Sequence, residues 1–199
     1  MDYSKYKQSR DLTWQILINH NVSVLPVKVS QICRVMNIRI FSYSKGYKYI
    51  ANFNDYALNN DGFTFDNCIF YNDQCNAGRQ RFTVAHELGH CLLHGGKGLY
   101  NREPTSTDQP IEQEANVFAS RLLAPACVLW GLNVKNAKQI SDLCNISMQS
   151  AEFRMERMSE LYRREQDFLQ RYGKSCFLMS DLEKQVYKQF KPFIESYKL

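Results

Sequence analysis

His86-Glu87-Leu88-Gly89-His90 carries the residue types and spacing best suited to chemistry in this chain. On a helix, side chains four positions apart stack on one face. Two imidazoles so placed can converge on one ion at Zn–N distances of about 2.0–2.1 Å. Glu87, between them in sequence, can reach a water on that ion, and a metal can lower that water's pKa to about 7. One buried histidine is usually a satisfied core residue, but here two of the chain's four histidines bracket a glutamate. Phe82, Val84, Ala85, Leu88, Leu92 and Leu93 make the surrounding helix apolar, as a buried active-site helix would be.

A catalytic zinc needs a third protein ligand and one open position. His94 is four residues beyond His90, yet about 12 Å of helix separates it from His86. No glycine among Cys91-Leu92-Leu93 allows a sharp turn before it. The metzincin pattern H-E-x-x-H-x-x-G-x-x-H is therefore absent, and a helix-end or supporting role suits His94 better. The next apolar helix supplies better candidates in Glu112 and Glu114. These two lie about 200° apart around a helix, so at most one points at the ion. Glu112 shares its face with Asn116, which can orient a histidine ring through its free N–H. Glu114 aligns with Phe118 instead. Glu112 is the favoured third ligand and Glu114 the alternative.

These segments resemble the ImmA/IrrE family of metallopeptidases, a zincin branch with thermolysin-like ligands. The resemblance is carried by RFTVAHELGHCLLH (81–94) and EQEANVFASRLLAP (112–125), with VLPVKVSQICRVMNIRI (24–40) similar to the family's lead-in helix. It covers about residues 5–125. It implies Zn2+ held by His86, His90 and a glutamate of the second motif, with Glu87 as general base. The family's pattern favours the glutamate four before the asparagine, Glu112. It further implies a bacterial, intracellular endopeptidase whose protein substrate is a helix-turn-helix repressor of a phage, mobile element or stress response.

The pattern of elements reads as α+β, and the resemblance implies a zincin-like core. Residues 4–20 and a short stretch near 29–36 read as helices. Alternation from Ile38 to Ile50 predicts a hairpin or paired strands, Asn59 to Gly62 a turn, and Cys68 to Tyr71 a strand. That strand could accept an extended substrate by strand addition. Helices are expected over 79–94 and 111–123, then 135–144, 147–163 and 180–197. A peptidase domain is placed at 1–130 and a helical extension at 131–199. Ile140 to Ser147 and the arginines beyond it outline a helix-turn-helix, with Ser147 as N-cap. Tyr71, His94 and Tyr100 are conceivable oxyanion partners.

At 199 residues the chain has room for one domain, or one with a small appendage. Its 44% hydrophobic and 23% charged composition is that of a globular protein. Seven cysteines, none in a C-x-x-C, argue against a disulfide framework or a thiolate zinc site. No apolar run approaches the ~20 residues of a membrane span, and the first residues have no signal-like apolar stretch. A cytoplasmic protein without membrane contact is expected. The net charge of +5 does not demand nucleic acid. Residues 135–164 mix six positive with four negative side chains, more like a solvated helix face than a DNA-reading surface. The rival readings are a non-catalytic, zinc-stapled regulator and a DNA-binding protein.

Overall fold

A computed structural model describes residues 6–58, 60–95, 109–173 and 179–197. The chain is mixed α and β, mostly helical, with a three-stranded sheet. It forms two compact units that do not follow chain order. One comprises Met1–Leu12 and Lys28–Ala119, the other Thr13–Val27 and Ser120–Leu199.

The first unit is built on the sheet β1-β3-β2, formed by β1 (Arg39–Ser42), β2 (Gly62–Phe65) and β3 (Cys68–Tyr71). β1 runs parallel to β3 and β2 antiparallel to it. Side chains alternate across the sheet, so Phe41, Phe70 and Phe63 stand in register on one face. The Phe70 ring centroid lies 5.5 Å from that of Phe41 and 4.9 Å from that of Phe63, both stacked. Phe53 of α4 (Phe53–Ala57) adds edge contacts to Phe63 and Phe70. Burying each such ring contributes about 1.5–3 kcal/mol. On the other face stand Gly62, Thr64 and Ile69, against α5 (Ala77–Leu93). α2 (Val29–Val35) buries Val29, Ile32 and Cys33 and also packs on α5.

Two expectations for this unit are corrected. Residues 38–50 form no hairpin: after β1 the chain turns into α3 (Tyr43–Gly46) and a 3-10 turn at Tyr47–Tyr49. The aromatic residues there cover the Phe face, as when Tyr43 packs on Phe53 and Phe63, so their spacing reflects capping of the sheet rather than pleating. The strand expected to receive substrate, β3, is central, with both of its edges paired. β2 was not foreseen, although Phe63 and Phe65 alternate with Thr64 and a two-residue Asp66-Asn67 turn, with Asp66 at φ 51°, joins it to β3.

In the second unit Trp14 and Leu17 of α1 (Lys7–Asn19) are buried. Gln189 Nε2 donates to the carbonyls of Leu17 and Val22 at 2.8 and 2.6 Å. α10 (Asp181–Tyr197) buries Val186, Phe190 and Ile194, one stripe at helical spacing, and packs on α7 (Ala126–Gly131). It is the helix expected over 180–197. α8 (Ala137–Cys144) meets α9 (Met148–Tyr172) through Asn145 in the left-handed region, with Ser147 accepting from the Ser150 N–H as N-cap. α9 runs beyond the expected residue 163, because nothing breaks it until Gly173 at φ 66°. Arg154, one of the arginines of the helix-turn-helix outline, is buried and donates through Nε to the Ala124 carbonyl at 2.7 Å.

None of the six described cysteines forms a disulfide. Burial pushes the thiols of Cys33, Cys91 and Cys127 up to about 12. Among the described residues, no helix is long and apolar enough to cross a membrane.

Candidate metal centre

α5 begins where the Asn76 side chain accepts the Arg79 N–H, satisfying one of the N–H groups that a helix start leaves over. Every residue from Thr83 to His90 is buried. His86 and His90 therefore face the interior of the unit one turn apart, and their Nε2 atoms lie 3.0 Å from each other.

α6 (Gln109–Leu123) crosses α5 at Gly89. A Cβ there would stand 3.0 Å from Phe118 Cδ1 and 3.3 Å from Ala115 Cα. Only the missing side chain lets the helices approach this closely. The approach brings Glu112 to the histidines: Oε2 lies 3.2 Å from His86 Nε2, and Oε1 3.2 Å from His90 Nε2. His86, His90 and Glu112 are the group among the described residues that could hold a metal ion.

The donor set passes a simple test of fit. Four-coordinate zinc with bonds of about 2.0–2.1 Å keeps its donors about 3.3–3.4 Å apart, close to the separations here. Two nitrogens and a carboxylate are ligands zinc accepts, and the histidine atoms are withdrawn from water. Burial, with the neighbouring His86 adding to it, holds the His90 imidazole below its ordinary range. The ring thus stays neutral, as a ligand must.

The outward nitrogens also have partners. His86 Nδ1 lies 3.0 Å from Asn116 Oδ1; the amide oxygen accepts Nδ1–H, which leaves the Nε2 lone pair aimed at the cluster. His90 Nδ1 lies 3.1 Å from Nδ1 of His94, the residue that ends α5. His94 Nε2 in turn lies 3.0 Å from Glu114 Oε2. The two glutamates of α6 thus divide: Glu112 faces the histidine pair, and Glu114 faces His94.

Beside the cluster opens a cleft of about 430 Å³, lined by Asn60, Asp61, Gly62, Arg79, Phe82, Thr83, His86, Glu87, Glu112 and Asn116. Glu87 is 1% exposed, and its Cγ lies 3.3 Å from where a Cβ on Gly62 would stand. A Cβ at Gly62 would also fall 2.3 Å from Thr83 Cγ2 and 2.9 Å from the Phe70 carbonyl. The start of β2 can pass over Glu87 only as glycine.

The structure thus brings together His86, His90 and Glu112, with Glu87 lining the same cleft. Of the suggested oxyanion partners, Tyr71 sits in β3 and His94 on the far side of His90, neither in the cleft lining. Tyr100 lies outside the described residues. Asp61, Arg79 and Thr83 were not foreseen as cleft residues. Asp61 and Arg79 are ion-paired at 2.5 Å, a contact across 18 positions that no local pattern announces.

A model of a peptidase family, described as the IrrE N-terminal-like domain, matches residues 33–156, a span that contains the whole cluster. The radiation response metalloprotease IrrE of Deinococcus deserti is 43% identical over 63 residues, 29% of this chain and 22% of that protein. The protein of the same name from Deinococcus radiodurans is 38% identical over 68 residues, 32% of this chain and 21% of its own length. The chain spans about a fifth of the length of these curated relatives.

Proposed function

The chain belongs to the family of IrrE N-terminal-like domains, and from that premise we propose that it is a zinc-dependent endopeptidase with a zincin-like core. His86, His90 and Glu112 hold the ion, and Glu87 is the general base. The observation that carries this reading is the meeting of three donor atoms beside a buried glutamate, at the wall of a cleft that solvent can enter.

Bound there, zinc supplies a Lewis acid for the scissile carbonyl and lowers the pKa of a water to about 7. Glu87 takes the proton of the attacking water and returns it to the leaving amine. Asn116 keeps His86 in the tautomer that offers Nε2. An extended peptide in the cleft runs past Gly62 at the start of β2, a terminal strand of the sheet, so in this reading β2 rather than β3 aligns the substrate. The substrate class is that implied by the resemblance, a helix-turn-helix repressor of a phage, mobile element or stress response. Such a substrate puts the enzyme in the cytoplasm, and both its relatives carry the name of a radiation response metalloprotease.

Metal analysis of the purified chain is expected to find one zinc per molecule. Glu87→Gln should retain that zinc and lose substrate cleavage by about 10²–10⁴-fold. A chain that stays metal-free after incubation with zinc would overturn the reading. Undiminished cleavage by the Glu87→Gln variant would overturn it equally and leave a zinc-stapled regulator.

A further inference from the structure

We propose that His94 and Glu114 form a positioning pair that fixes the ring of His90 and presents its Nε2 to the metal. The proposal rests on the metal-site reading above and adds two residues to it.

Three polar groups stand in series: Glu114 Oε2 at 3.0 Å from His94 Nε2, and His94 Nδ1 at 3.1 Å from His90 Nδ1. For uncharged imidazoles, hydrogen-bond chemistry gives this series one direction. A carboxylate accepts only, so His94 donates from Nε2. A neutral imidazole that donates from one nitrogen accepts at the other, so His94 Nδ1 takes the Nδ1–H of His90. The proton of His90 then resides on the side away from the cluster, and its Nε2 lone pair faces His86 Nε2 and Glu112. The opposite tautomer would place an N–H among the donor atoms and block the ion.

His86 reaches the same state through one neutral amide, Asn116. His90 reaches it through a second imidazole backed by a carboxylate, so negative charge bears on its ring from one residue further out. A histidine that ligates a metal commonly hands its other N–H to a carboxylate or carbonyl. Here an imidazole is interposed, and the arrangement ties the last turn of α5 to α6 immediately beside the cluster. This gives Glu114 a role distinct from that of Glu112 two residues earlier. Neither His94 nor Glu114 lines the cleft; they act through His90.

The test uses the full chain, cobalt(II) alone as probe, and chelator competition to measure affinity. His94→Phe keeps a ring of similar size but cannot accept the His90 proton. It should still bind one equivalent of cobalt, about 10–100-fold more weakly, with shifted d–d absorption. His94→Gln, able to accept at Oε1, should recover part of the loss, and Glu114→Gln should weaken binding in the same direction by less. In the metal-free protein, nitrogen-15 NMR should show His90 as the Nδ1–H tautomer, and His94→Phe should abolish that preference. Should His94→Phe not fold, Glu114→Gln and the tautomer measurement decide alone. Unchanged affinity and spectrum in both variants would overturn the positioning role while leaving the metal site standing. Loss of cobalt from Glu114→Gln as complete as from His86→Ala would make Glu114 a ligand and also overturn it. Wild-type chain that binds neither cobalt nor zinc would instead sink the metal-site reading beneath it.

Discussion

The α5–α6 crossing and the outer face of α9 are both rich in charged and polar side chains. They use those side chains in opposite ways. At the crossing, partners come from another helix: His86 meets Asn116 across 30 positions, and His94 meets Glu114 across 20. Along α9, Arg157 and Arg164 both pair with Glu160, and Arg163 pairs with Asp167, each three or four residues away on the same helix. Pairs of the second kind solvate a face and fix nothing beyond it. Pairs of the first kind hold rings at defined angles around one point. Polar content alone therefore does not mark a site; what marks it is where the partner comes from.

This contrast can be broken or sharpened by substitution. The largest effect is expected from His86→Ala. Its metal affinity, measured by equilibrium dialysis, should fall by more than the 10–100-fold assigned to outer partners. Arg154→Ala comes next, because Arg154, like Glu165 with Trp130, turns from α9 to a partner on another segment, here the Ala124 carbonyl. Stranding that buried carbonyl should cost about 1–3 kcal/mol in urea unfolding, and a neutral result would reduce Arg154 to the rank of its exposed neighbours.

A third prediction concerns pH. Burial lowers the His90 pKa in the folded chain, while the unfolded chain takes up a proton near the ordinary value of about 6.5. The stability linked to His90 is thus present above that pH and lost as pH falls below it toward the folded value. The Tm of metal-free protein should drop on acidification from pH 7.5 to 5, with a shallower slope in His90→Asn. The smallest effect is expected from Glu160→Ala, which removes two ion pairs at the surface of α9, one of them half-buried. Its stability should change by less than about 1 kcal/mol, and that difference should shrink further in salt.

The helical parts of the cluster were legible because helix geometry is local. The four-residue step from His86 to His90, and the opposed directions of Glu112 and Glu114, follow from 3.6 residues per turn without knowledge of the fold. Asn116 was legible for the same reason, one turn beyond Glu112. The partner of Glu114 was not, since His94 reaches it only after α6 has packed against α5. The sheet was harder to read. Tyr43, Tyr47 and Tyr49 carry the composition of strands, but here aromatic residues cap a face of other aromatics. β2 escaped because four residues opening on a glycine give little periodicity. Gly62 stands there because β2 passes over Thr83 and Glu87, a demand imposed by tertiary structure. The family resemblance reached about residue 125, and the family match extends to 156, into the middle of α9.

Gly89 has a consequence for how the centre could be retuned. The gap between the two helical rods is gauged by a single hydrogen atom at that position. A methyl in its place would act as a shim, levering α6 outward by tenths of an ångström and drawing the carboxylate of Glu112 back from the imidazoles. The seat would widen without any change in its chemistry, and its preference would drift toward larger cations. A preference for ion size would then be set at a residue outside the donor set.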